Sequence, residues 1–492
     1  MKSINEDIAF ATKWAGTAEV MAKLVTPISN MILARVLTPE IFGIVATITM
    51  VNSFADIFSD AGFQKFLIQH EFSTKEKLYK STNVAFITNL AISILAWLII
   101  FLFRNNIANI IGIQGLGNVL AISCLTLPLT SFSSIQIALF KRNFDFKKLF
   151  YARFVGILTP FFVTVPLAFV YKNYWAMIIG TLIGQLFNAL ILTFLSDWKP
   201  RFYYNFHKLK EMLSFSLWTL CESLLSWLGN YGGIFVIGIY LSNYYLGLYR
   251  TSINISNSIL SIIISSTLPV LFSSLSRLNN ERKHFFTVYY DFQKNIGLIL
   301  IPLGTGIFLY RDLVTGILLG DQWHEAANFI GIWSLANVFK LLLSSYCLEA
   351  FRAIGKPKIS VFIQMLQILV MLPLLYWGAQ QNFQILYLIR SSICIILIIF
   401  SLITWNVIFK QNSLKQILNI SPYIISSIIM YFIGTLLQVI SNSYIWSFVS
   451  IVLLIVVYFV ILTTFFKEDR KKTVKLLNSF YFKIKKRTMN GK

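Results

Sequence analysis

Residues 33–46 read LARVLTPEIFGIVA, a polar Thr38-Pro39-Glu40 corner and a glycine, Gly43, set between two long apolar runs. One run reaches back to about residue 9 and the other forward to about residue 63. Each exceeds the roughly 20 residues that carry a helix across a hydrocarbon core of about 30 Å. The stretch reads as a corner joining two membrane-spanning helices, and the same alternation of long apolar run and short polar break continues along the chain.

Composition agrees with this reading. Of 492 residues, 57% are hydrophobic and only 13% charged, with a mean hydropathy of +0.70, against about 25% charged residues in a soluble domain. The spans fall at about 9–35, 40–63, 81–103, 116–140, 149–171, 174–196, 212–241, 244–275, 294–310, 325–348, 358–378, 383–409, 419–440 and 444–466. This is an all-α integral membrane protein with about fourteen transmembrane helices and no room for a folded soluble domain. The runs are continuously apolar, which excludes a β-barrel built from alternating segments of about ten residues. No cleavable signal is expected, because Lys13, Glu19 and Lys23 interrupt the first run.

Lys and Arg are retained on the cytoplasmic side during insertion, so their placement tests the span count. With the N-terminus inside, inner segments hold 33 of the 42 basic residues, and outer segments only Arg35, Arg104, Lys172 and Arg311. The expectation is a multi-pass protein of the cell membrane with both termini cytoplasmic.

At an offset of 204 residues the corner has an echo, IGIYLSNYYLGLYR at 237–250. Leu37 meets Leu241, Gly43 meets Gly247, and Thr38 stands opposite Ser242. Identities are few; the weight comes from topology, since each corner joins the first two helices of a six-helix block and both lie outside. Two blocks of equal orientation are parallel repeats about an axis along the membrane normal. The expected plan is an N-lobe at 1–202, a C-lobe at 203–412, an extra helix pair at 413–466 and a basic cytoplasmic tail at 467–492. Two such lobes can enclose a cavity that opens to either side in turn.

The net charge of +22 does not indicate nucleic acid, because the cations are spread over every inner loop and not gathered in one basic domain. The tail, dense in Lys and Arg with interspersed Leu and Phe, reads as an interfacial helix on the anionic inner leaflet or as a solvated topology anchor. The four cysteines sit singly within spans and the four histidines singly in loops, so neither metal nor disulfide is expected. No G-x-x-x-x-G-K-[ST] loop is present for ATP. Catalytic residues and cofactors are not expected. Eight of the eleven prolines fall inside spans, where each frees a backbone carbonyl and favours a bend.

An ionisable residue in the hydrocarbon region is a functional candidate unless it snorkels or finds a partner. Lys13, Lys23, Arg250, Lys340 and Arg390 oppose only Glu19 and Glu222, an excess of three positive charges. An excess of buried cations suits an anionic cargo, since Arg and Lys bind phosphate through charge-assisted hydrogen bonds. Lys23, Arg250, Lys340 and Arg390 are the candidate cargo contacts; the competing assignment is interhelical pairing, for example of Lys340 or Arg250 with Glu222. Glu19 and Glu222 are candidates for ion coupling, although Glu19 and Lys23, four apart, also suit mutual neutralisation. Asp56 and Asp60 are candidates for an inner gate or ordinary helix-end charges.

LARVLTPEIFGIVA, followed by FADIFSDAGFQKFLIQ (54–69) and IALFKRNFDFKKL (137–149), resembles the polysaccharide transporter family, the Wzx-like O-antigen and exopolysaccharide flippases of the multidrug/oligosaccharidyl-lipid/polysaccharide superfamily. The turn EAFRAIGKPK (349–358) also resembles an inner-side turn of that superfamily. The second corner departs from the first, with Asn243-Tyr244 in place of Pro39-Glu40. The resemblance implies two rocking lobes of MATE-like fold and a cargo of oligosaccharide on a polyprenyl diphosphate. That cargo would move from the inner to the outer leaflet amid membrane lipids, with a polysaccharide polymerase and export machinery as possible partners. It also implies that the extra helix pair borders a groove for the lipid tail. Two alternatives stay open: a cation-coupled drug exporter of the same superfamily, whose cargo would favour an acid-lined cavity, and a membrane-embedded polymerase or glycosyltransferase, which usually needs a large outer loop or an acidic pair.

Overall fold

The computed structural model of the chain describes residues 4–60, 62–441 and 443–466, and all regular structure among them is helical. The tail at 467–492, expected as an interfacial helix or anchor, lies outside the described residues. The first half runs α1 (Ile4–Val36), α2 (Pro39–Asp60), α3 (Phe63–Gln69), α4 (Lys75–Leu102), α5 (Arg104–Ile110), α6 (Gly117–Ser123), α7 (Thr126–Arg142), α8 (Phe146–Thr159), α9 (Val165–Tyr171) and α10 (Tyr174–Leu195). The second runs α11 (Phe206–Tyr240), α12 (Asn243–Arg277), α13 (Arg282–Leu309), α14 (Arg311–Leu318), α15 (Ala326–Lys340), α16 (Tyr346–Ala353), α17 (Pro357–Gln381), α18 (Phe383–Phe409), α19 (Leu414–Ile440) and α20 (Tyr444–Phe465).

Thirteen spans among the described residues are long and apolar enough to cross a membrane. The fourteenth expected span, 9–35, is helical within α1 but is not one of the thirteen; Lys13, Glu19, Lys23 and several small polar residues dilute its apolar content. The span expected at 294–310 begins earlier, as α13 from Arg282.

Helix starts follow local chemistry. Pro39 opens α2, where its missing N–H would have no intrahelical partner and its fixed φ suits the first turn. Thr74 caps α4 by accepting from Lys77 N at 3.2 Å, Asn205 caps α11 at His207 N and Lys208 N, and Ser443 caps α20 at Trp446 N. Two spans contain a π-helical turn: Pro160–Thr164 between α8 and α9, and Leu341–Ser345 between α15 and α16. Such single-turn insertions recur at functional positions within helices.

The chain divides into two compact units. The first runs to Asn254 and takes in Leu318–Trp323 and Ile368–Leu386. In it α7 packs against α3, α4 and α10, α8 against α1 and α10, and α2 against α4 and α11. Arg142 at the end of α7 closes the C-terminus of α3, donating to the carbonyls of Leu67 at 2.7 Å and His70 at 2.6 Å and lying 4.9 Å from the Phe72 ring centre.

The second unit comprises Ile255–Ile317, His324–Gln367 and the chain from Tyr387 onward. Its centre is α13, flanked by α15 and α19, with α20 against α19. Within a bilayer, lipid tails solvate apolar side chains as well as protein does, so close packing and interhelical hydrogen bonds hold helices together. Here Tyr289 donates to Gln416 at 2.9 Å and packs at a tilt on Trp405 with ring centres 4.5 Å apart. Tyr310 meets Ser450 at 2.6 Å, and Tyr458 donates to the Leu298 carbonyl at 3.0 Å. The pair α19 and α20 is thereby fastened along α13.

Candidate functional site

The Leu37–Gly43 corner is held from two directions within the first unit. Leu37 is fully buried. The last carbonyls of α1, which have no partner inside the helix, accept from outside: Trp323 Nε1 donates to Ala34 O at 2.8 Å, and Gln322 Nε2 donates to Leu37 O at 3.0 Å. The Trp323 ring stands edge-on to Phe42, with centres 5.2 Å apart. From the other direction comes the echo corner itself. A Cβ built on Gly43 would lie 2.8 Å from the Asn243 carbonyl carbon and 3.0 Å from Gly247 N. A Cβ built on Gly247 would lie 2.7 Å from the Pro39 carbonyl carbon and 3.0 Å from Gly43 N. The contact is reciprocal in the offset of 204: each glycine meets the residue that opens the other's helix.

From this contact a seam of α2 against α11 runs along both helices. Partway along, Trp227 Nε1 donates to Ser53 Oγ at 3.1 Å, and its ring packs on Phe54 with centres 4.9 Å apart. At the far end Lys65 Nζ lies 3.1 Å from Glu222 Oε2, both side chains about half exposed. Beside the seam lies an apolar cavity of about 710 Å³, lined by residues that include Phe54, Phe58, Leu95, Ile99 and Trp227. Its walls present hydrocarbon and ring faces, chemistry suited to an acyl or polyprenyl chain.

In the second unit the cations gather on one indole. Lys340 Nζ lies 5.4 Å and Arg390 Cζ 4.6 Å from the centre of the buried Trp333 ring. Lys340 is the last residue of α15 before the Leu341–Ser345 π turn, and no carboxylate pairs with it among the described residues. A polar strip leads toward it along α15 and α12: Ser334 donates to Ser256 at 2.8 Å and Asn337 to Asn257 at 2.9 Å. Two cations within cation–π reach of one indole make a locally positive setting, and an anion could reach Lys340 without first breaking a salt bridge there.

A family model described as polysaccharide biosynthesis protein matches residues 32–328. The chain belongs to that family. A Klebsiella pneumoniae membrane protein of the cps region is 22% identical over 390 residues, which is 78% of this chain and 79% of that one. Succinoglycan biosynthesis transport protein ExoT of Rhizobium meliloti is 22% identical over 306 residues, 62% of this chain and 61% of that one. Among solved structures, lipid II flippase MurJ in an inward closed conformation matches with a TM-score of 0.74 at 17% identity, over 92% of this chain and 98% of that one, which shows a shared fold.

In this polysaccharide biosynthesis protein the described sequence candidates separate into five settings. Lys340 and Arg390 come together on Trp333. Arg250 stands over Tyr231, its Cζ 4.9 Å from the ring centre. Lys23 lies 3.8 Å from Glu19, which also accepts from Arg153 at 2.7 Å, so Glu19 joins α1 to α8. Glu222 pairs with Lys65 across the seam. Asp56 accepts from Thr130 Oγ1 at 3.1 Å; the side chain of Asp60 lies outside the described residues. Sequence reasoning missed Trp333, Trp227, Ser256, Asn257, Ser334 and Asn337. A signal for the last two existed: GIWSLANVFK (331–340) carries Ser334, Asn337 and Lys340 at intervals of three, one polar stripe on an otherwise apolar helix.

Proposed function

We propose that this family member moves a polyprenyl-diphosphate-linked oligosaccharide from the inner to the outer leaflet of the cell membrane by alternating access, supplying cell-surface polysaccharide biosynthesis. The observation that carries this reading is the match along 92% of the chain to the fold of a lipid II flippase, a protein whose named cargo is itself lipid-linked. The preponderance of basic residues in alternate connecting segments supports cytoplasmic termini, with the Gly43–Gly247 contact on the outer side and the Lys65–Glu222 pair on the inner. The lobes are residues 1–202 and 203–412, and the seam of α2 against α11 is where they part. Lys340, Arg390, Arg250 and Lys23 are the proposed diphosphate contacts, and the apolar cavity beside the seam has the chemistry for part of the lipid. Asp56 and Asp60 are the proposed inner-gate residues, and Glu19 and Glu222 are the places for proton or sodium coupling. Outward movement of each negative charge gains about 2.3 kcal/mol per 100 mV of inside-negative potential, less whatever positive charge travels with it. A polymerase and export machinery would act on the product.

The test is reconstitution in liposomes with a polyprenyl-diphosphate oligosaccharide from the host, following its accessibility to a probe added outside. Protein-dependent exposure, lost in the Lys340→Ala, Arg390→Ala variant, is the expected result. Absence of transfer by the native chain with that glycolipid would overturn the reading.

A further inference from the structure

A second cavity, of about 560 Å³, lies wholly within the first unit, between α1, α7, α8 with its π turn, and α10. That size falls in the range of small-molecule sites, about 300–1,000 Å³. Its existence follows from residues that leave space. Gly156 on α8 lines it, and a Cβ added there would meet nothing within 4 Å. Pro160 and Thr164 of the π turn form one wall, and Gly180 on α10 lets the helices close behind it, since a Cβ there would lie 2.9 Å from Thr164 Cβ.

The lining is unlike that of the cavity beside the seam. Gln185 and Asn188, three apart on α10, both face it, and among the described residues neither side chain makes a hydrogen bond. Two amides in an apolar helix with no protein partner are costly unless something else supplies one. Lys141 and Arg153 also line it. Lys147 adds a third cation, its Nζ 5.9 Å from the ring centre of Trp14, which lines the cavity and packs on Phe150 at 4.9 Å. Glu19, on Arg153, is the carboxylate that the structure pairs with this group. Cations for an anion, amides for hydroxyl groups and an aromatic wall for an apolar or sugar face are assembled in one place.

We propose that this cavity binds a hydroxyl-bearing phosphate headgroup, of the kind carried by phosphatidylglycerol or by a sugar phosphate. Lys141 and Arg153 hold the phosphate, and Gln185 and Asn188 the hydroxyls. The site stands apart from the seam and does not depend on the transport reading: a chain that moved no glycolipid would still bind here.

The test uses the purified full chain in detergent. Native mass spectrometry with equimolar phosphatidylglycerol and phosphatidylcholine should show at least tenfold preferential retention of phosphatidylglycerol. Retention should fall at least tenfold in the Lys141→Gln, Arg153→Gln variant, and also in Gly156→Leu, which fills the cavity without touching a charge. Should Gly156→Leu not fold, Asn188→Leu takes its place. Glucose 1-phosphate is the second arm: displacement of the lipid at millimolar concentration assigns the headgroup to a sugar phosphate, and failure to displace it assigns a lipid, both in support. No preference for phosphatidylglycerol together with no binding of glucose 1-phosphate would overturn the proposal, as would a preference unchanged in both variants.

Discussion

Replacing Gly43 with alanine tests the reciprocal corner contact directly. The added Cβ would lie 2.8 Å from the Asn243 carbonyl carbon, where carbon atoms in contact sit about 3.5–4.0 Å apart. The starts of α2 and α12 must therefore separate by roughly 0.7 Å or more. Both sides are backbone, so no rotamer change relieves the clash. Forcing an extra methyl into packed structure costs typically about 1–3 kcal/mol, and about 2 kcal/mol lowers the population of the closed corner roughly 30-fold. Spin labels at Thr38→Cys and Ser242→Cys, both exposed positions, with Cys221 replaced by serine, would report the separation by pulsed dipolar spectroscopy. The native chain should give one short distance; Gly43→Ala and Gly247→Ala should each add a longer one, and the double variant less than their sum, because the first Cβ opens the gap for the second. Gly306→Ala is the control, since a Cβ there meets nothing within 4 Å, and it should raise stability by up to about 1 kcal/mol through helix propensity. If Gly43→Ala stabilises in the same way and leaves the distance unchanged, the two corners are not in backbone contact at Gly43.

Other perturbations have equally definite signs. Lys65→Glu places a second carboxylate beside Glu222, and labelling of a cysteine at Ser53 should rise several-fold, returning to the native level when Glu222→Lys is added. Lys340→Met removes one of two like charges over Trp333 and should raise the thermal midpoint, because replacing a poorly compensated buried charge by an apolar group is often stabilising, while slowing glycolipid transfer at least tenfold; a lowered midpoint would assign Lys340 to helix cohesion instead. Arg142→Lys cannot serve the Leu67 and His70 carbonyls with a planar fork, so unfolding in mixed micelles should show a loss of about 2 kcal/mol, the scale of charge-assisted hydrogen bonds.

The helices were legible because a hydrocarbon core demands length and apolarity, and the polar corners between spans stand out against that background. The corner of Leu37 to Gly43 was legible for the same reason, and its echo at Leu241 to Gly247 through the spacing of leucine and glycine. Pairings were not legible. Glu222 has no basic residue one helical turn away in sequence, and its partner Lys65 is 157 positions distant; only the register of α2 and α3 against α11 brings them together. Trp333 gave no sign of gathering Lys340 and Arg390, since a tryptophan in an apolar helix reads as ordinary packing. Likewise the space beside Gly156 and the π turn depends on where four helices cross, which no single helix encodes.

The two ends of the α2–α11 seam are closed by different physics, and that difference bears on which end yields first. At the Gly43 end the contact is backbone against backbone, reinforced by Gln322 and Trp323 on the last carbonyls of α1. Separating it loses close packing and leaves those carbonyls to find new donors, a cost that salt does not touch. At the Lys65 end an ion pair half open to solvent does the closing. Such pairs are worth about 0–1 kcal/mol and weaken further as the screening length shrinks to about 3 Å at 1 M salt. Given the proposed topology, the weakly closed end faces the cytoplasm. A chain that receives its cargo from the inner leaflet would need an inner end that opens on thermal fluctuation and an outer end that waits for the cargo's binding energy. Raising salt should therefore expose a cysteine at Ser53 while leaving the distance between Thr38 and Ser242 unaltered. Equal opening of both ends by salt would mean that the glycine contact contributes little and that the asymmetry has another source.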